Sequence, residues 1–280
     1  MSVIHRAVIG GALALAIGTA AVVAYAAREP DAMPTVRQVA APASATSTAP
    51  PVPEAAPAAP GLPEISYRRA APGLPRDRDI RSVEAVTEGL RPATRIALYD
   101  APGGRARAWL PRSISGLQVT VPIVERRPGW LAVLVPSANR RLAWVPESSG
   151  EVRPLRDQLV VDLGERRLTW LRDGRRHDTW SVAVGSSRTP TPLGRTFVMG
   201  RTTTHGSVFA GLDALVLGSV PEDRDALPAS LQGGHTAIHA WRDTSAFGRS
   251  VSNGCIRIPA TAQRALLRGI PTGVVLTVTP

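Results

Sequence analysis

The sequence predicts a mainly β protein, two small units behind a long N-terminal lead. Three observations carry this. Short apolar segments with strand-like alternation recur from Arg95 onward, turn residues separate them, and only Ala260–Arg268 has a helix-like pattern. A length of 280 residues allows two small domains plus tails.

The lead has two parts. His5 and Arg6 precede an uncharged run, 7–27, that ends in Ala24-Tyr25-Ala26, a small-x-small pattern. Residues 1–27 therefore read as a signal peptide or a signal anchor, the run being long enough to cross a bilayer though only weakly apolar. Both readings place the remainder outside the cytoplasm, in the cell envelope or secreted. Residues 28–92 are rich in Pro, Ala, Ser and Thr and then in scattered Arg, and are expected to form a linker with little fixed structure. Stretched at ~3.1 Å per residue, its Pro-rich first part reaches on the order of 100 Å.

Residues 93–152 read as a small β-barrel. Arg95–Tyr99, Gln118–Ile123, Trp130–Val135 and Leu142–Val145 are the strands, divided by turns such as Ala101-Pro-Gly-Gly104 and Pro128-Gly129. Such a unit either binds or positions a substrate, or is a spacer whose tryptophans are core.

Residues 157–280 open with Leu159, Val161 and Leu163 alternating with polar positions, a turn at Gly164-Glu165, and a second strand from Leu168 to Leu171. Trp180, Val182 and Val184 alternate again, and Thr189–Gly194 is a proline-stiffened loop. Arg201–Gln232 is expected to include a lid, with Leu215–Leu217 as a strand inside it and His205 at the surface. A helix over Ala260–Arg268 and a final strand over Val274–Val278 close the chain.

The chemistry concentrates between Gly233 and Ile258. This stretch holds the only cysteine, Cys255, preceded by Gly254, and His239 upstream. A thiol becomes a nucleophile when a base can take its proton and its loop leaves it approachable. Glycine permits a sharp turn, so the backbone N–H groups of Gly254 and Cys255 are the expected oxyanion donors. Arg257 offers a forked donor for a carboxylate, or braces the loop. In an exported protein, a lone cysteine has no partner within its chain for a disulfide, which points to a reactive thiol. His235 and His239 share a strand face and with Cys255 raise a zinc reading, but a cysteine on a glycine turn is placed as a nucleophile; no metal is expected. The formal charge is +11, and all 33 basic residues are arginine, spread along the chain without a basic run. That distribution suits an anionic surface such as a cell wall rather than nucleic acid.

The spacing from His239 to Cys255, with Ser252-Asn253-Gly254-Cys255-Ile256-Arg257, resembles the signature of the L,D-transpeptidase (YkuD-like) catalytic domain. Leu159–Leu163, Arg167–Leu171, Ser181–Gly185 and Thr189-Pro-Thr-Pro-Leu-Gly194 are similar to that family's opening hairpin and Thr-Pro-x-Gly turn, so the resemblance covers about 157–280. More loosely, Gly129-Trp130-Leu131 and Trp144-Val145 resemble bacterial SH3-like domains. The fold implied is a β-sandwich or barrel catalytic domain with a short C-terminal helix, after a small SH3-like barrel.

The resemblance implies the following chemistry. Cys255 attacks the carbonyl of the third residue of a peptidoglycan stem and releases D-Ala, and an amine on a neighbouring stem takes the acyl group, making a 3→3 cross-link. His239 is the base, its ring oriented by the carbonyl of Ala240, which stands where the family commonly has Gly. Ser252 fixes the loop or bonds near His239, Asn253 stands where many members have a second histidine, and Trp241 shapes the acceptor groove or is core. No metal or organic cofactor is implied, and carbapenems are expected to acylate Cys255. Water as acceptor would make the protein an L,D-carboxypeptidase. A sortase also pairs His, Cys and Arg but carries a different run before its cysteine. A wall-binding scaffold with a dead site is the non-enzymatic alternative.

Overall fold

Strands dominate because β-branched and aromatic residues alternate with polar ones over short runs, and proline or glycine ends each run. The computed structural model describes residues 51–67, 69–137, 140–218 and 236–280. The proposed signal or anchor (1–27), the first part of the linker (28–50), residues 219–232 of the stretch expected to include a lid, and His235 lie outside these residues. No helix among the described residues is long and apolar enough to cross a membrane.

The first unit contains β1 (Glu88–Pro92), β2 (Ile96–Tyr99), β3 (Ala106–Leu110), the short β4 (Ser113–Ile114) and β5 (Leu117–Gln118), β6 (Val121–Arg127), β7 (Trp130–Leu134), β8 (Leu142–Pro146) and β9 (Gly150–Pro154). Seven of them form one sheet in the order β3-β2-β8-β7-β6-β1-β9, and β4 pairs with β5. The sheet is thus wider than 93–152: β1 lies in the expected linker and β9 runs past the expected boundary, paired from Glu88–Pro154 to Pro92–Gly150.

The second unit contains β10 (Asp157–Asp162), β11 (Arg167–Arg172), β12 (Arg175–Ser181), β13 (Val184–Gly185), β14 (Gly194–Thr202), β15 (Ala214–Leu217), β16 (Ala237–Ala240), β17 (Ser250–Ser252), β18 (Ile256–Ile258), helix α1 (Ala260–Gly269) and β19 (Val275–Thr279). Its main sheet has eight strands in the order β12-β11-β10-β19-β14-β15-β16-β18, with β13 and β17 as a separate parallel pair. Among the described residues the mainly β class with one short C-terminal helix is therefore the observed one. Leu159, Val161 and Leu168 point inward and are fully buried, as their alternation requires. Burying each such side chain is worth about 1.5–3 kcal/mol.

The expectation of little fixed structure as far as residue 92 is corrected over the described part, 51–92. Ile65, Tyr67, Ala71 and Leu74 enter the core of the first sheet, which also takes in Phe197, Met199 and Val275 from the second. Asp77 forms a two-pronged ion pair with Arg195 of β14, both contacts 2.6 Å, with both side chains buried. Backbone carbonyls of Ser82 and Val83 accept from Thr277 Oγ1 at 3.0 Å and Gln158 Nε2 at 2.7 Å. Composition predicted a tether because these stabilising partners lie far away in sequence, where a local reading finds only Pro, Ala and Arg.

Candidate active site

The edge strand β18 and its parallel neighbour β16 place the candidate nucleophile and base. β16 pairs with β18 in the register Ile238–Ile256, His239–Arg257 and Ala240–Ile258. Because side chains alternate, Ile238, Ala240, Ile256 and Ile258 all point into the core, where each is fully buried. His239 and Arg257 then face the other way, and Cys255, in the bend that leads into β18, is close enough to Arg257 to feel its charge. One strand pair and the bend before it thus bring together the thiol, the imidazole and the guanidinium.

The imidazole is held in one tautomer. His239 Nδ1 lies 2.9 Å from the carbonyl oxygen of Ala240. A carbonyl only accepts, so Nδ1 carries the hydrogen and Nε2 keeps its lone pair for a proton. Ala240 is absent from the positive-φ residues, so alanine keeps the carbonyl in an ordinary strand conformation. Phe209 packs edge-on against His239 at 5.0 Å between ring centroids, and Trp241 sits 5.8 Å from both rings. Phe209 lies in a single turn, Ser207–Phe209, that is tied to the site by Arg242 N–H donating to Val208 O at 2.8 Å. Nothing in the sequence beyond one aromatic in a turn-rich segment pointed to it.

The cysteine loop is pinned from behind. Ser252 is buried, and its hydroxyl donates to Cys255 O at 2.5 Å while accepting from Gly254 N at 3.2 Å. Ser252 therefore fastens the loop, one of the two roles expected of it. The Gly254 N–H, expected to meet an oxyanion, donates to Ser252 Oγ at 3.2 Å in this structure. Gly254 remains essential to the turn, because its φ is +102° and the nearest atoms to an added Cβ are 3.6 Å away, so conformation and not space requires glycine.

Thr189 and Thr191, assigned from sequence only to a turn, are the other fasteners. Thr189 Oγ1 donates to Ser252 O at 3.1 Å, and Thr191 Oγ1 donates to Gly254 O at 3.0 Å while accepting from Gly185 N at 2.9 Å. Prolines at 190 and 192 hold both threonines in place by fixing φ. Asn253, between these anchors, is exposed at the loop tip.

Arg257 is braced through its backbone, which exchanges hydrogen bonds of 2.9 and 2.8 Å with Ala183. Its guanidinium lies over the Trp241 ring at 3.8 Å from the centroid, and its buried Nε has no hydrogen-bond partner among the described residues. Trp241 is half-buried, and stacking on Arg257 is its clearest contact.

Burial sets the resting protonation. It pushes the Cys255 thiol above its ordinary range, only partly offset by a backbone hydrogen bond from Ala237 and by the charge of Arg257. Burial likewise holds His239 below its ordinary value, opposed by the bond to Ala240 and reinforced by Arg257. Both shifts favour a neutral thiol beside a neutral imidazole at pH 7.

A cysteine and a tautomer-locked histidine beside the edge of a β-sheet are the kinds of group that acyl-transfer chemistry uses. The comparisons agree with that class. Residues 156–278 match the family model of the L,D-transpeptidase catalytic domain, YkuD. The YkuD protein of Bacillus subtilis (strain 168) is 28% identical over 120 residues, 43% of this chain and 64% of that protein. Its Bacillus licheniformis counterpart is 28% identical over 123 residues, 44% of this chain and 66% of that protein. The matched region thus spans just under two thirds of each relative. Among solved structures, the catalytic domain of the E. faecium L,D-transpeptidase is 22% identical with a TM-score of 0.32, covering 44% of this chain and 96% of that one. L,D-transpeptidase 3 from Mycobacterium tuberculosis, in complex with a faropenem-derived adduct, is 13% identical with a TM-score of 0.37, covering 59% and 92%.

Proposed function

We propose that the chain is an exported peptidoglycan L,D-transpeptidase in which Cys255 forms the acyl-enzyme. The observation that carries this reading is the pairing of β16 with β18, which sets Cys255 beside the strand of His239 while Ala240 O holds the imidazole with Nε2 available. His239 Nε2 takes the thiol proton as sulfur attacks the carbonyl of the third stem residue. The tetrahedral intermediate collapses, the C–N bond breaks, and the same proton goes to the departing amine of D-Ala. The acceptor amine then loses a proton to His239 as it attacks the thioester, and Cys255 leaves as the thiol. A neutral pair at rest suits this sequence, because charge separates only as the carbonyl is attacked.

Arg257 stands beside this pair as an anion-directed donor for a stem carboxylate, and exposed Asn253 is the loop residue placed to meet substrate. Export is supported by the uncharged 7–27 run, and an arginine-only basic surface suits the anionic wall. The first sheet, proposed as an SH3-like module, shares its core with the second and so works as a fixed extension of the catalytic unit. β-Lactam acylation of Cys255 follows from the same thiol chemistry and from the adduct named for the mycobacterial relative.

The test is incubation of the purified chain with a disaccharide-tetrapeptide, with products resolved by mass. Release of D-Ala with a 3→3 dimer supports the transpeptidase. Release of D-Ala with only the tripeptide makes it an L,D-carboxypeptidase, and no turnover by a chain whose Cys255 is chemically intact sinks the enzymatic reading in favour of a wall-binding scaffold.

A further inference from the structure

The stretch Pro51-Val-Pro-Glu-Ala-Ala-Pro-Ala-Ala-Pro60 forms no strand or helix, yet it runs along the aromatic side of the first sheet. Three side-chain donors of that sheet reach its carbonyls in order. Trp130 Nε1 donates to Pro53 O at 2.8 Å, Tyr99 Oη to Ala56 O at 2.8 Å, and Trp109 Nε1 to Ala59 O at 3.1 Å. The accepting residues are evenly spaced by three. That is the repeat of a polyproline II helix, which has no internal hydrogen bonds and leaves one carbonyl per turn directed to each side.

The receiving surface is shaped for such a ligand. Tyr99, Trp130, Ala132 and Trp144 form their own buried cluster, apart from the two main cores, and Ala55 of the segment packs against it. Tyr99 and Trp130 meet edge to face at 5.2 Å. Two glycines make room: a Cβ on Gly103 would lie 2.8 Å from Pro53 Cβ, and one on Gly129 would collide with Val52. Both glycines have positive φ, so their turns and the close approach of the ligand use the same residues. Beyond the groove the segment continues into one strand-like bridge, with Ile65 N donating to Trp109 O at 2.7 Å and Trp109 N to Pro63 O at 2.8 Å.

From this we infer that the aromatic face of the first sheet is a binding site for extended proline-rich peptide, occupied within the chain by residues 51–60. Recognition combines the three features such sites need: a preformed ligand with little entropy to lose, an aromatic shelf, and indole or phenol donors at the ligand's own period. The segment is a latch that anchors the lead to the sheet.

Two arms test this on the full chain. In the first, Cys255→Ala leaves an introduced Glu54→Cys as the only attachment point for a nitroxide. The label is expected to be immobilised in this parent and mobile once Trp130→Phe, Tyr99→Phe and Trp109→Phe remove the donors while leaving an aromatic ring at each position. In the second, Pro53→Gly, Pro57→Gly and Pro60→Gly loosen the latch, and the chain is titrated with a synthetic peptide of residues 50–63. Saturable quenching of tryptophan emission is expected, with affinity at least about tenfold above that of a peptide carrying alanine at the three prolines, while the unaltered chain does not bind. A nitroxide whose mobility ignores the donors overturns the inference. So does a loosened chain that fails to bind the peptide, or that binds proline and alanine versions alike.

Discussion

The cysteine loop (252–255) and the N-terminal segment (51–87) are both largely irregular backbone, and both are held by other parts of the molecule, but on different scales. The loop is fastened within the second unit, by Thr189, Thr191, Ser252 and the Ala183 bridge. The segment is fastened across both units, by Trp130, Tyr99 and Trp109 of the first sheet and by Arg195, Thr277 and Gln158 of the second. The geometry of the candidate site therefore depends on bonds close to it, whereas the joining of the two sheets is reinforced by a segment that contributes no strand of its own. A substitution in one region should leave the other's property nearly untouched.

The largest effect is expected at Asp77. Asp77→Ala leaves Arg195 buried and unpaired, which should cost about 3–5 kcal/mol in urea unfolding, while the double change Asp77→Leu with Arg195→Met recovers most of it. An unchanged midpoint in Asp77→Ala would remove the segment from the cooperative fold. Next is Thr191→Val, nearly the same shape, which strips the partner from Gly185 N–H and Gly254 O. It should cost about 2 kcal/mol and slow acylation on the order of tenfold to a hundredfold, because the loop behind Cys255 shifts. Acylation as fast as in the parent would show that the loop is held without it. Gly254→Ala forces a side chain to φ +102° and is expected to cost about 1–3 kcal/mol with a similar loss of rate.

The smallest effect is the pH response. His239 has its folded value lowered, so the unfolded chain binds the proton first and stability falls as pH drops below the ordinary histidine range. Cys255 has its folded value raised, so stability falls as pH climbs above the ordinary thiol range. Subtracting the profile of His239→Gln should remove the acid-side loss, and that of Cys255→Ser the alkaline-side loss. Limbs that persist unchanged in these variants belong to other groups.

The site was largely legible in the sequence because it is local. Gly254, Cys255 and Arg257 fall within four positions of one turn and strand, and His239 lies on the strand that pairs with it. What escaped was supplied by distant pairings. Thr189 and Thr191 looked like turn residues until their hydroxyls met the cysteine loop, and Phe209 carried no pattern at all. β14 was missed as a strand because its first seven residues are buried with no alternation, Arg195 included, its charge matched by Asp77. Residues 51–92 failed for the same reason, since composition weighs each residue's own apolarity and not the partners it will meet. The strand around Leu159 alternates, and those around Tyr99, Trp130 and Leu276 are short apolar runs bounded by turn residues, so these were readable.

The central claim is that Cys255 is the acyl-accepting thiol and that His239, held by Ala240 O, supplies its proton transfer. Intact-mass measurement of the chain incubated with a carbapenem tests this most directly, beside Cys255→Ala and His239→Ala. The account predicts a single adduct on the parent chain, none on Cys255→Ala, and slow formation on His239→Ala. An adduct that persists on Cys255→Ala, or a parent chain that takes none while its thiol remains intact, would contradict it.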